Sequence, residues 1–332
     1  MKDRSQAVES VLAPIAAGLL VLVTLLGLIG TAIRDPRPHH IPVGVAGPPP
    51  AVAQITDAFS SKAPGTFQFT AYTSEDQARA ALDARDVDAA LVLTAGAPKL
   101  IVAGAAGDAI TGLTTAVFTQ VFSAQGAQLA VEVTHPFASG DPHGLVLFFL
   151  VLATIVATFV VQAILLARGR AARLSTWLGV VVGWALAAGL TGVGMSAWIV
   201  GGYDFTGAAA MAGLIALAAL ATGSVTAGLT RLLAEPGLGL AGLVVVLLDL
   251  ISSGGPAGQE FLPDAYRALS SWMPAGQLFS AFRGALYFDG SGVATPVFVL
   301  GAWLLAGLVL MLVGEAVRNR VRSAAAMPAV AR

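Results

Sequence analysis

The chain has 332 residues, 56% of them hydrophobic and only 11% charged, with a mean hydropathy of +0.81. A soluble domain carries about 25% charged residues, so the composition excludes an ordinary soluble globule and points to an integral membrane protein. A net charge of −1 argues against a nucleic-acid partner, and the absence of cysteine removes both disulfides and thiol chemistry.

Residues 1–10 are short and polar, and 11–33 form an uncharged apolar run. About 20 residues cross the hydrocarbon core as a helix. A signal peptide has a shorter core of about 7–15 residues, so 11–33 reads as an uncleaved first span. Residues 34–143 are the one large soluble segment. Ile41–Ala46 reads as a strand ended by Pro48-Pro49-Pro50, and 52–61 as a helix with Val52, Ile55 and Phe59 on one face. Residues 66–72 alternate like a strand. Thr73 or Ser74 caps a helix running to Arg85, with Glu75 and Asp76 in its first turn. Residues 87–94 and 100–103 read as strands across a turn at Gly96-Ala97-Pro98, followed by a helix over 108–129 and a last strand at 131–134. These elements predict a small α/β domain of about 100 residues, large enough to fold on its own.

Further apolar runs at 144–167, 174–200, 207–230, 237–251 and 297–317 bring the expected spans to six. The fold class expected is an α-helical membrane protein of six spans with the α/β domain inserted between the first two. Segments 1–10, 168–173, 231–236 and 318–332 hold ten arginines and lysines, against two in the short segments 201–206 and 252–296. The positive-inside rule then puts both termini in the cytoplasm and 34–143 outside. Arg168, Arg170 and Arg173 make the loop after the second span the most basic inner turn.

Residues 252–296 are too polar to cross. Ser252-Ser253-Gly254-Gly255-Pro256 cannot continue a helix. Pro263 and Pro274 then open two short amphipathic segments, the first carrying Tyr266, Arg267 and Trp272, the second Phe279, Phe282 and Arg283. Each helix is limited to about 10–13 residues, under about 20 Å at 1.5 Å per residue, short of a core of about 30 Å. The pair is expected to lie on, or dip into, the outer face. Its SSGGP turn, its Leu262-Pro263, its Met273-Pro274-Ala275-Gly276 and its close at Arg283-Gly284-Ala285-Leu286-Tyr287-Phe288-Asp289-Gly290 resemble the permeases of type-2 ABC transporters and their phage-infection-protein-like relatives. The resemblance implies outer-gate helices at 262–288, a dimer of permease units in a bacterial plasma membrane, and a cytoplasmic ATP-binding subunit docking on Arg168, Arg170 and Arg173. The phage-infection-protein-like alternative implies a receptor or assembly scaffold working through the outer domain without ATP. The N-terminus is shorter than is common in the permeases, and Asp249 stands where an uncharged polar residue is usual.

Other chemistry is sparse. The three lysines, Lys2, Lys62 and Lys99, follow Met1, Ser61 and Pro98, so no Gly-Lys-Ser/Thr phosphate loop exists and ATP can act only through another chain. No G-x-S-x-G motif occurs, His39-His40, His135 and His143 do not form a ligand set, and no enzyme activity, cofactor or metal is expected. Polar groups at membrane depth are functional candidates. Gln162 is expected in an interhelical hydrogen bond, and Asp249 and Glu315 near headgroup water.

Overall fold

The computed structural model describes the backbone of residues 2–34, 36–94, 97–168 and 173–326. Helix α1 (Lys2–Ile33) leads into a five-stranded sheet of β1 (Ile41–Ala46), β2 (Phe67–Tyr72), β3 (Ala89–Val92), β4 (Lys99–Ala103) and β5 (Ala130–Thr134), in the order β2-β1-β3-β4-β5. Strand β1 runs parallel to β2 and β3, β3 pairs antiparallel with β4, and β4 pairs parallel with β5. Helices α2 (Pro49–Lys62), α3 (Glu75–Asp83) and α4 (Asp108–Ala124) supply the crossovers, as parallel pairing requires. The central strands β3 and β4 are apolar on both faces, the pattern of a doubly covered sheet. Phe59, Phe67, Phe69 and Phe118 cluster on one side, with ring centroids 4.8–6.4 Å apart.

Three local signals set these boundaries. Pro49 and Pro50 occupy the first turn of α2, so the proline run opens the helix earlier than the expected start at 52. Ser74 accepts from the Gln77 amide and caps α3. The helix expected over 108–129 ends at Ala124 because Gly126 takes a left-handed φ of +71° and the chain leaves the helix there.

Among the described residues five helices are long and apolar enough to cross a membrane: α5 (Leu145–Arg168), α6 (Leu174–Val200), α7 (Phe205–Leu233), the run Glu235–Ala257, and Ala294–Arg320 of α12 (Ala294–Ala326). Helix α1 carries a shorter apolar stretch, Gly18–Ala32. The fourth of the five joins α8 (Glu235–Ala241) to α9 (Asp249–Ser252) through a π-helical segment, Gly242–Leu248. Two short helices, α10 (Asp264–Ser270) and α11 (Pro274–Tyr287), separate it from α12.

Helix α7 is the centre of the bundle and lies against α5, α6, α11 and α12. Its seam with α12 is made by small residues. A Cβ at Gly307 would sit 2.1 Å from Ser224 Oγ and 2.5 Å from the Val225 amide, and one at Gly228 would sit 3.1 Å from the Gly307 carbonyl. In lipid, where burial of apolar surface gives no drive to associate, such backbone approach supplies the packing energy. Toward the C-terminal ends of α7 and α12 Glu315 pairs with the buried Arg231, whose guanidinium lies 5.4 Å from the Trp177 ring centroid. Glu315 is therefore an interhelical partner rather than the headgroup-facing carboxylate expected from sequence.

The seam predicts a contrast on one helix. Gly307→Ala must push α12 away from the backbone of α7, and overpacking of this kind costs about 1–3 kcal/mol. Gly301→Ala meets nothing within 4 Å and should leave the melting temperature in detergent unchanged. Equal effects of the two substitutions would contradict the seam.

Candidate functional site

The short helix pair is held by side chains that satisfy its backbone ends. Pro274 has no N–H, so Ala275 carries the first free amide of α11, and it donates to Asp249 Oδ1 at 2.7 Å. The carboxyl group caps α11 from a separate helix. Asp249 is fully buried and its Oδ2 has no hydrogen-bond partner among the described residues; it does not reach headgroup water, as the sequence suggested. On the other side of the break, Gln277 Nε2 donates to the Ser271 carbonyl at 2.9 Å and satisfies the end of α10. Met273 is extended because a proline follows it. The helices have 7 and 14 residues, roughly 10 and 21 Å at 1.5 Å per residue, so neither crosses.

The residues singled out from sequence in this pair have different roles. Phe282 is fully buried in the core. The Tyr266 hydroxyl donates to the Leu28 carbonyl at 3.0 Å and lies 2.8 Å from Thr31 Oγ1, tying α10 to the end of α1. Arg267 pairs with Asp264 at 2.6 Å. Trp272 is exposed, and its carbonyl accepts from Trp303 Nε1 at 2.7 Å. Phe279 and Arg283 line a polar cavity described below. Elsewhere, the Gln162 amide is buried with no hydrogen-bond partner among the described residues, in place of the expected interhelical bond. Arg168 and Arg173 stand exposed at the ends of α5 and α6; Arg170 lies outside the described residues.

The α/β domain is latched to this pair by a residue that the sequence reading passed over. Arg85 follows α3 with a φ of +65°, a position that normally takes glycine. For an L-residue the left-handed conformation costs roughly 1–2 kcal/mol, so a strained arginine here points to its side chain. Its Nη1 donates to the Ser280 carbonyl at 3.0 Å and the Ser291 carbonyl at 3.3 Å, and its Nη2 donates to Ser280 Oγ at 3.0 Å. Gly284 admits it, since a Cβ there would sit 2.8 Å from Arg85 Nη1 and 2.4 Å from the Ser291 carbonyl oxygen. Phe288 is buried at the same contact. His135 stacks on its ring at 4.7 Å, and the Arg85 guanidinium lies 5.3 Å from its centroid. The Arg-Gly-Ala-Leu-Tyr-Phe-Asp-Gly close thus receives the domain.

Between domain and helix pair lies a cavity of about 240 Å³. The domain contributes Pro42, Arg85 and Asp88; the helix pair and the turn before it contribute Gln259, Glu260, Ser270, Gln277, Ser280 and Arg283. Burial pushes the Asp88 carboxyl up to about 6, and the nearby Glu260 carboxylate adds to the shift. Asp88 keeps some accessible surface because it faces the cavity. Burial pulls the Arg85 guanidinium down to about 10, helped by Arg283. A second, apolar groove of about 360 Å³ opens between α5 and α6, lined by Phe149, Leu150, Trp184, Met195 and Ile199 among others.

No family model, no curated protein and no solved structure matches the chain. Fold and site define the class: a multi-pass helical membrane protein carrying an α/β domain latched to a non-crossing pair of helices.

Two outcomes follow from these contacts. Asp249→Ala removes the cap of α11 and should cost about 1 kcal/mol, lowering the melting temperature in detergent. Asp249→Asn keeps an oxygen acceptor for the Ala275 amide, so it should melt close to the parent. A loss as large for asparagine as for alanine would rule out the capping role. The second outcome concerns pH. A carboxyl raised from 3.8 to about 6 contributes stability that is complete below 3.8 and lost as pH rises through 6. Acidification from pH 7.5 to 5 should therefore stabilise the junction, and Asp88→Asn should remove that dependence and raise the melting temperature at pH 7.5. Glu75 and Glu132, held low by Lys99 and Arg79, act only below their ordinary range. His135, stacked on Phe288, is common to parent and variant, so the difference between their pH profiles isolates Asp88. Identical profiles for the parent and Asp88→Asn would contradict the placement of Asp88.

Proposed function

We propose that the chain is the membrane-spanning subunit of a type-2 ABC-like exporter, moving a lipidic or amphipathic substrate outward without an ATPase of its own. The observation that carries this reading is the pair α10–α11, which turns back beside α7 and α12 without crossing and is capped from the preceding span by Asp249. Such a pair closes one end of the bundle as a gate would. The five apolar helices and α1 then count as six spans, with the α/β domain outside the cell and both termini in the cytoplasm of a bacterium. The lipid-accessible groove between α5 and α6 suits an apolar substrate entering from the side. Two units would pair, and the exposed Gly179 and Gly183 of α6, with nothing within 4 Å, offer a surface for close approach. The loop with Arg168, Arg170 and Arg173 would meet the cytoplasmic ATP-binding subunit.

The latch favours a second reading. Arg85 and Phe288 join the outer domain directly to the helix pair, as a receptor or assembly scaffold acting through that domain would need. Purification from the native membrane in mild detergent separates the two. Co-purification of an ATP-binding chain, lost when Arg168, Arg170 and Arg173 are all replaced by alanine, supports the exporter. A preparation free of such a chain that still performs its cellular role supports the scaffold.

The orientation is tested in intact cells with single cysteines at Ser60 on α2 and Ser323 near the C-terminus, in a chain that has no other cysteine. An impermeant thiol reagent should label position 60 and leave position 323 untouched. The reverse pattern would overturn the topology.

A further inference from the structure

We propose that the cavity between the α/β domain and α10–α11 is a binding site for a small zwitterion, a ligand carrying an ammonium group and a carboxylate or phosphate a few bonds apart. Four charged side chains meet there: Arg85 and Asp88 from the domain, Glu260 and Arg283 from the helix pair and its leading turn. Their charges cancel, yet they do not pair with one another. Among the described residues Asp88 and Glu260 make no side-chain hydrogen bond or ion pair, and Arg283, which acts on Arg85 and Asp88 through longer-range charge, lies 5.9 Å from the Phe279 ring centroid. Glu260 Oε2 and Arg283 Nε are buried with no hydrogen-bond partner among the described residues. A buried charged atom without a partner is costly, and two of opposite sign around one space define what would relieve them. A simple anion would face two carboxylates, and a simple cation two guanidiniums. A zwitterion presents donors to Asp88 and Glu260 and acceptors to Arg283, and leaves the net charge at zero. The volume of about 240 Å³ holds roughly eight waters at about 30 Å³ each, enough for an amino acid or a phosphoethanolamine headgroup. The two residues on the domain side sit at the latch, so an occupant would bridge domain and helix pair and strengthen their contact. The inference holds for either functional reading, because it concerns binding at the junction and needs no ATP.

The test uses the purified full-length chain in detergent, with melting temperature and calorimetry as readouts. The probes are β-alanine for a free zwitterion and glycerophosphoethanolamine for the lipid headgroup, with acetate and ethylammonium as single-charge controls. A saturable rise in melting temperature with β-alanine assigns the site to a free amino-carboxylate; a rise with glycerophosphoethanolamine alone assigns it to a headgroup. Glu260→Gln and Arg283→Gln each remove one charged hydrogen bond and should weaken binding about tenfold or more. Glu260→Gln has no ion pair to lose, so it serves if the arginine variant does not fold. The proposal is overturned if neither zwitterion shifts the melting temperature at millimolar concentration. Equal shifts from the single-charge controls, or undiminished binding by Glu260→Gln, would overturn it as well.

Discussion

Where a chain turns back inside a packed helical bundle, each backbone amide and carbonyl freed from a helix and buried from water must find a partner within the protein. In this protein the hydrogen bond from the Ala275 amide to Asp249 Oδ1 meets that demand, and much else depends on it. It fixes the start of α11 against the preceding span, while Gln277 closes the end of α10. With α11 so placed, Leu278 and Phe282 are buried in the core, and Arg283 and Gly284 face the domain above. The spacing of its own residues gives this fourteen-residue helix an apolar and a polar face, and the Asp249 cap anchors its first turn.

The domain uses what α11 presents. Arg85 reaches across to carbonyls at Ser280 and Ser291 only because Gly284 leaves room, and its backbone strain is offset by those bonds and by the Phe288 ring. Further contacts reinforce the junction. Phe137 packs edge-on against Tyr287 at 5.2 Å, and Asp141 Oδ2 accepts from the Leu147 amide in the first turn of α5. Sheet, helix pair and first long span are thus joined around one charged cavity. Occupancy or protonation there would be felt on both sides, which is the physical basis for assigning it a role beyond packing.

Much of this order was legible from residues alone. The strands of the domain follow from short apolar runs between proline and glycine turns, and the break between α10 and α11 from Pro274. The helix pair was legible because its signals are local. From sequence Asp249 reads as an unusual residue near headgroup water, because its partner Ala275 is 26 positions away and nothing in the intervening sequence says which amide lacks a bond. Arg85 left one signal that went unread, an arginine where the end of α3 favours glycine. The cavity left none, since its charges come from three separated stretches that only the tertiary fold assembles. Gln162 shows the opposite limit: a polar residue in an apolar run promises an interhelical bond, and the packing around Gly223 leaves the amide without one.

The α/β domain and the helix pair form one unit through Arg85 and Ser280. In this cysteine-free chain, cysteines in place of His135 and Phe288, whose rings stack at 4.7 Å across the same junction, test this union in native membranes with a short thiol-to-thiol crosslinker while Arg85 and Ser280 are kept. Proteolysis between the domain and α5, followed by electrophoresis, should show the two fragments covalently joined, and either cysteine alone should give separated fragments. Separated fragments from the double variant, with both thiols shown to be reactive, would contradict the account.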